Sequence, residues 1–268
     1  MPPAQPEDPI RTERRGTVLR IEIHRPERRN ALDVPSMKAL RAQLERAATD
    51  ASLRAVLLTG AGAAFCAGGD VAVMDEYRQR GELPELFHAL TGEQEASVRE
   101  ILGMAKPVVA ALPGVAAGGG LSLALAADWR IGSEDALLVP AFPGLGAVPD
   151  GGLTYFLPHY LGIGVAQQML FSNARVPAAK ALELGLLHEI VPSAELGARG
   201  WARAQELADG PTFAWGWTKR LLHAAFSESA ESQMMLERRG AVEAARRPEL
   251  AEGIRAFREK RPPRFPPP

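Results

Sequence analysis

The chain has 268 residues, 31 basic and 32 acidic side chains, a net charge of −1, 46% hydrophobic and 24% charged residues, and a single cysteine. That composition buries a large core and excludes a largely disordered chain; near neutrality, with no lysine-rich aromatic stretch, argues against nucleic acid as a partner. One cysteine excludes an internal disulfide and a thiolate metal cage, and five scattered histidines offer no paired ligand spacing, so no metal and a reducing, cytoplasmic compartment are expected.

Residues 1–11 read as a disordered tail, since Met1 to Pro9 carries four prolines and no apolar core. Val18 to Ile23 alternates, with Leu19, Ile21 and Ile23 on one face, and predicts a half-buried strand. A basic loop, Arg25 to Leu32, precedes a helix capped by Asp33 with Met37, Leu40, Leu44 and Ala47 as its apolar stripe. Ala55 to Thr59 is apolar throughout, as a strand in a covered parallel sheet would be. It empties into a small-residue loop, Gly60 to Asp70, ahead of a helix over Val71 to Arg80. That loop lacks the third glycine of a dinucleotide fingerprint. Asp70, at the helix start, reads as a cap, and Cys66 as a small core residue.

Gly81 to Gly92 shows no clear period and predicts a cover beside a site, followed by a helix over Glu93 to Met104. Pro107 to Ala127 is uncharged over 21 residues, yet two prolines, four glycines and a Pro-Gly turn make it a buried strand and helix rather than a membrane span. Gly118-Gly119-Gly120 opens that helix, where amides lack internal partners and glycine admits an anionic oxygen without a Cβ in the way. Trp129 to Ile131 and Ala136 to Val139 read as short strands, and the loop Pro140 to Gly152 ends in Asp150 before a glycine pair. Helices follow around Tyr155 to Leu161, Val165 to Phe171 and Ala178 to Leu184, then a strand over His188 to Val191. From Ala194 to Lys260 the pattern is helical, with apolar residues such as Trp215, Trp217, Met234, Met235 and Leu236 to cover. The chain thus divides into a β/α core over 12–193, a helical region over 194–261 and a loose tail over 262–268.

Phe65 to Asp70, Pro107 to Asp128 with its triple glycine, and Gly146-Ala147-Val148-Pro149-Asp150-Gly151-Gly152, in that order and spacing, resemble the crotonase (enoyl-CoA hydratase/isomerase) superfamily; Arg25 to Leu32 and Glu252 to Arg261 match as well. The resemblance spans Val18 to Phe265. It implies an α/β fold, a spiral of ββα units with a C-terminal helical region used in trimerisation, giving a homotrimer or a dimer of trimers. It also implies an acyl-CoA thioester as substrate, with no membrane partner and no cofactor beyond the coenzyme A of the substrate itself. By the same matching, the backbone amides of Gly69 and Gly119 hold the thioester oxygen, and Asp150 is the catalytic acid. Ala67, Gly68, Gly118, Gly120, Ser122, Phe142 and Ala31 line the substrate, with Ala67 near the adenine. Arg28 or Arg29 approaches the CoA phosphates, and Lys219 and Lys260 add charge from the tail.

The departures bear on the reaction. The two hydratase glutamates fall at Ser122 and Phe142, so an acid and a base for adding water are missing there. Asp150, 31 residues after Gly119, matches the aspartate of members that isomerise double bonds or epoxides or displace halide. The local text around Asp150 is also similar to 3-hydroxyisobutyryl-CoA hydrolases, whose glutamate is Phe142 here. Proton transfer by a single aspartate is therefore the expected chemistry. The alternatives are a 3-hydroxyacyl-CoA hydrolase, a serine hydrolase built from Ser122, Asp150 and one of His159, His188 or His223, a non-catalytic acyl-CoA binder, or a hydratase restored by Glu82, Glu85 or Glu93.

Overall fold

Three short runs, Ala55–Gly60, Val108–Leu112 and Trp129–Ser133, are buried almost throughout, which requires a sheet covered on both faces. The computed structural model describes residues 8–265 and shows that sheet. In chain order the strands are β1 (Ile10–Arg15), β2 (Val18–Ile23), β3 (Ala55–Gly60), β4 (Ala64–Cys66), β5 (Val108–Leu112), β6 (Val115–Ala117), β7 (Trp129–Ser133), β8 (Leu137–Val139), β9 (Val176–Pro177) and β10 (Glu189–Val191). The helices are α1 (Val34–Thr49), α2 (Val71–Arg80), α3 (Leu83–Gly103), α4 (Gly119–Ala126), α5 (Phe142–Leu145), α6 (Leu153–Leu161), α7 (Ile163–Phe171), α8 (Ala178–Glu183), α9 (Leu196–Ala208), α10 (Thr212–Ala224), α11 (Ala230–Ala244) and α12 (Pro248–Arg258).

A six-stranded sheet runs β1-β2-β3-β5-β7-β10, and a four-stranded sheet runs β4-β6-β8-β9. Each of β3, β5 and β7 lies in the larger sheet, and the strand after it crosses to the smaller one before a helix returns the chain. This is the ββα repeat that the resemblance implies. Alternation along the central strands divides the core in two: Val56 and Leu58 of β3, with Val108, Ala110 and Leu112 of β5, face the main cluster. Ala55, Leu57, Val109 and Ala111 face a second cluster under Leu196, Ala204 and Ala208 of α9. Although the sequence places α9 in the helical region, it thus closes the other face of the core sheet.

Four segments differ from the sequence expectation. Ile10 and Arg11, assigned to a disordered tail, belong to β1, which pairs antiparallel with β2 from Ile10↔Ile23 to Arg15↔Val18. Backbone ladder bonds hold this edge strand, and only Ile10 is buried, so no apolar pattern announces it. The rest of that expectation, on residues 1–7, lies outside the described residues. Gly81 to Gly92, read as aperiodic, is the left-handed cap of α2 at Gly81 followed from Leu83 by the start of α3, a 21-residue helix. Its apolar residues serve two surfaces, Leu86 the core and Phe87 and Leu90 a cavity, which blurs the single stripe. The triple glycine does not follow the Pro-Gly turn directly, because β6 intervenes. Residues 262–265 have no regular structure, but the Arg264 amide donates to Glu252 Oε1 at 2.9 Å and so is tied down; 266–268 lie outside the described residues. No described helix is long and apolar enough to cross a membrane.

Candidate active site

Two loops leave the sheets side by side. The loop after β4 carries Ala67, Gly68 and Gly69 into α2, and the turn after β6 carries Gly118 into α4. Gly68 has φ +91°, and a Cβ there would stand 2.9 Å from the Ala117 carbonyl oxygen. Gly118, at φ 53° and ψ −125°, occupies a region closed to residues with a side chain. A Cβ on Gly118 would lie 3.9 Å from Gly68 Cα, so the two turns are in contact.

The Gly69 and Gly119 amides have no acceptor among the described residues. Leu32 pairs as an isolated parallel bridge with Gly69: its amide donates to the Gly68 carbonyl at 2.8 Å, and its carbonyl accepts from Asp70 N at 3.0 Å. That pairing turns the Gly69 N–H away from Leu32. Gly119 is the first residue of α4, where an amide has no partner one turn back. Both glycines line one cavity of about 490 Å³, together with Ala67, Gly118, Phe142 and Asp150.

The two aspartates singled out in the sequence meet opposite environments. Asp70 caps α2, accepting from Ala72 N at 3.2 Å, and also accepts from Arg28 at 2.8 Å and Arg25 at 3.2 Å. Burial pushes its carboxyl up, but the Arg28 hydrogen bond and the charges of both arginines outweigh this and hold it below the usual range. Asp150 precedes α6 without capping it: Gly152 is the cap residue and no side chain bonds the helix start. Among the described residues its carboxyl has no hydrogen-bond or ionic partner, and burial alone pushes it up to about 6. Ser122 Oγ donates to the Asp150 carbonyl at 2.9 Å and so pins this loop from within α4.

The structure relocates several predicted residues. Ser122 is fully buried and off the cavity wall, so it holds the Asp150 backbone rather than a ligand. His159, His188 and His223 line a different cavity, of about 640 Å³, between α6, β7 and α10, which leaves Ser122 without an imidazole and dismantles the serine-hydrolase reading. Gly120 packs against Cys66, whose Sγ a Cβ there would meet at 2.9 Å; Ala31 is buried away from the cavity, its carbonyl accepting from Arg25. Arg28 is committed to Asp70, whereas Arg29 lines the cavity. Lys219, expected near CoA phosphates, is 6% exposed and donates to the Ile101 and Lys106 carbonyls at 2.9 and 3.1 Å, with Asp128 at 2.6 Å. It closes the C-terminal end of α3, where a cation is favoured. Lys260 is exposed beyond α12 and on no wall of this cavity. None of Glu82, Glu85 and Glu93 lines it either: Glu82 pairs with Arg80 at 3.3 Å and Glu93 with Arg41 at 2.7 Å.

Residues that sequence reasoning passed over complete the walls. Gln94 of α3 is 5% exposed, and its Nε2 donates to the Gly119 carbonyl at 2.8 Å. A signal was present: Leu86, Leu90, Gln94 and Val98 form one i, i+4 row, and Gln94 is its only polar member. Asn173, left-handed at φ 49° after α7, accepts from Ala141 N through Oδ1 at 2.8 Å. Ala141 has φ 65° and ψ −32°, with Phe142 N donating to the Pro140 carbonyl at 2.9 Å, a strained three-residue turn that sets the Phe142 ring beside Gly118. No group of three or more potential metal-ligating side chains occurs among the described residues.

Residues 13–267 match the family described as Enoyl-CoA hydratase/isomerase. A Rhodobacter capsulatus protein named "Probable enoyl-CoA hydratase" is 38% identical over 245 residues, covering 91% of this chain and 93% of that protein. The 1,2-epoxyphenylacetyl-CoA isomerase of Escherichia coli K12 is 34% identical over 248 residues, covering 92% and 94% respectively. Among solved structures, an enoyl-CoA hydratase from Polaromonas sp. JS666 superposes with a TM-score of 0.90 at 31% identity, over 96% of this chain and 99% of that one.

Proposed function

The chain belongs to the enoyl-CoA hydratase/isomerase family, and from that premise we propose that it moves a proton along the acyl chain of a CoA thioester, with Asp150 as the base. The unpartnered carboxyl of Asp150, on the wall of a cavity it shares with the open amides of Gly69 and Gly119, is the observation that carries this reading. A proton next to a thioester is removable only when the enolate oxygen is stabilised, and each preorganised donor is worth about 3 kcal/mol in comparable sites. Two backbone amides supply that without any side chain, and the glycines are required by their surroundings, since a Cβ at Gly69 would stand 2.4 Å from Met74 Cε and one at Gly119 3.0 Å from Gln94 Oε1. With its carboxyl raised to about 6, Asp150 is ionised near neutrality and still basic enough to take a proton. The electron pair of the broken C–H bond moves toward the thioester oxygen. The neutral acid then returns its proton at another carbon of the conjugated system, which regenerates the carboxylate and shifts the double bond.

The absence of a carboxyl at Ser122 and Phe142 favours this over hydration and over a 3-hydroxyacyl-CoA hydrolase, since neither residue can activate water. The Phe142 ring instead keeps the cavity dry beside Gly118. Exposed Leu222, Phe226, Met234, Met235 and Val242 on and beside α10 and α11 support assembly as a homotrimer or a dimer of trimers. Free CoA esters and the single thiol, Cys66, support a cytoplasmic enzyme.

The test is Asp150→Asn. Turnover of enoyl-CoA esters should fall by about 10³-fold, within the range a general base supplies. Affinity for a non-reacting CoA ester should stay within about threefold. Retained turnover overturns the assignment of Asp150.

A further inference from the structure

The Gly119 amide is carried by three consecutive glycines, a backbone with little restriction of its own, yet a donor to a developing oxyanion works only when it is held in place beforehand. Each glycine is held from outside. The Gly118 amide donates to the Val139 carbonyl at 3.1 Å, and Gly120 packs against Cys66. At Gly119 the three heavy atoms nearest to a built Cβ are Gln94 Oε1, Cδ and Nε2, at 3.0, 3.3 and 3.4 Å. Nε2 also gives one of its two N–H groups to the Gly119 carbonyl at 2.8 Å. The same side chain reaches the loop of the base. At Gly151, the residue after Asp150 and left-handed at φ +57°, a Cβ would meet Gln94 Nε2 at 2.8 Å and Gln94 Cγ at 2.9 Å. Gln94 thus fills the space between these two glycines and is only 5% exposed. Its helix is tied to α1 beside it, where Arg41 pairs with Glu93 at 2.7 Å.

We propose that Gln94 is a positioning residue: acting through Gly119 and Gly151, it sets the separation between the oxyanion amide and the Asp150 carboxyl. This rests on the reading that both groups act on one substrate. The two arrive from different segments of chain, α4 and the loop before α6, so their spacing is fixed by what packs between them. Ser122 Oγ, which donates to the Asp150 carbonyl at 2.9 Å, ties the loop to α4 from below, and Gln94 holds the two apart from the side of α3. Proton transfer is steep in distance, a misplacement of about 1 Å costing about 10²-fold in rate. Affinity for a CoA ester depends instead on contacts along the whole cavity, so loss of the spacer separates rate from binding. Methionine keeps most of the volume and loses the N–H, whereas alanine loses both.

Steady-state kinetics with 3-hexenoyl-CoA compare the wild type, Gln94→Met, Gln94→Ala and Asp150→Asn, with calorimetric titration of butyryl-CoA alongside. The value of kcat should fall about 10-fold in Gln94→Met and about 100-fold in Gln94→Ala. KM and butyryl-CoA affinity should stay within about threefold, the mark of an interaction felt in the transition state. An unchanged calorimetric stoichiometry shows that folded protein has not been lost, which a merely structural role would cause. If Gln94→Ala does not fold, Gln94→Met decides. Wild-type kcat in the Gln94 variants that fold, or a loss of affinity as large as the loss of kcat, overturns the inference; with Asp150→Asn inactive, the role of Asp150 still stands. A wild type inert towards 3-hexenoyl-CoA, or an Asp150→Asn as active as the wild type, overturns the reading of the base and the inference with it.

Discussion

Replacing Asp150 by asparagine should stabilise the protein at neutral pH. The carboxyl is raised by burial from its ordinary 3.8 to about 6, so the native state holds its proton more tightly than the unfolded chain does. Below about pH 3.8 both states are protonated, and the full stability is present. As pH rises toward 6 the unfolded chain sheds the proton first and stability is lost; above 6 both are ionised and the loss is complete. The separation of about two pH units corresponds to roughly 3 kcal/mol. Because the carboxyl is only partly buried, solvent screening reduces this to about 1–2 kcal/mol. Asparagine never ionises and escapes that loss. Roughly a third of the loss has already occurred by pH 4.5, so urea unfolding of the wild type and Asp150→Asn at pH 4.5 and pH 7.5 should show the variant gaining about 1 kcal/mol between the two conditions. A gain that does not grow with pH, or a variant less stable at pH 7.5, refutes an unpartnered buried carboxyl.

Two further outcomes follow from the buried polar contacts of Lys219 and Asn173. Lys219→Met strands Asp128 and the carbonyls of Ile101 and Lys106, so unfolding free energy should drop by about 3 kcal/mol, while KM for a CoA ester at 20 °C stays within about twofold; a large rise in KM would restore Lys219 as a phosphate ligand. Asn173→Ala removes the acceptor that holds the strained Ala141 turn. It should cost about 1–2 kcal/mol by urea unfolding and lower kcat more than it raises KM, because the Phe142 wall loosens beside Gly118; an unchanged kcat contradicts that link.

How much was legible depended on whether a residue's role is local. Gly69, Gly119 and Asp150 stood out in the sequence because small residues and an isolated acid contrast with the apolar text around them, and the structure brings all three to the wall of one cavity. Leu19, Ile21 and Ile23 were readable for a similar reason, since a strand declares its faces in two-residue steps. Gln94 and Asn173 were not, because their partners lie 25 and 32 residues away and only the folded chain brings them together. Lys219 misled the reading because a lysine near the C-terminus resembles a surface charge until its burial against the end of α3 is seen. Ser122 was placed on the right helix but with a different duty: its hydroxyl donates to the Asp150 carbonyl from within α4, off the cavity wall. β1 was invisible because five of its six residues are polar or charged and its pairing is carried by backbone alone.

The central claim is that one carboxylate, opposite two open amides, removes a proton from carbon. Nuclear magnetic resonance of a 3-enoyl-CoA ester in deuterated buffer measures this directly, by the rate at which deuterium enters C2 and C4. The wild type should exchange both positions and shift the double bond, and Asp150→Asn should slow both by about 10³-fold while still binding the ester. Equal exchange by the two proteins contradicts the account.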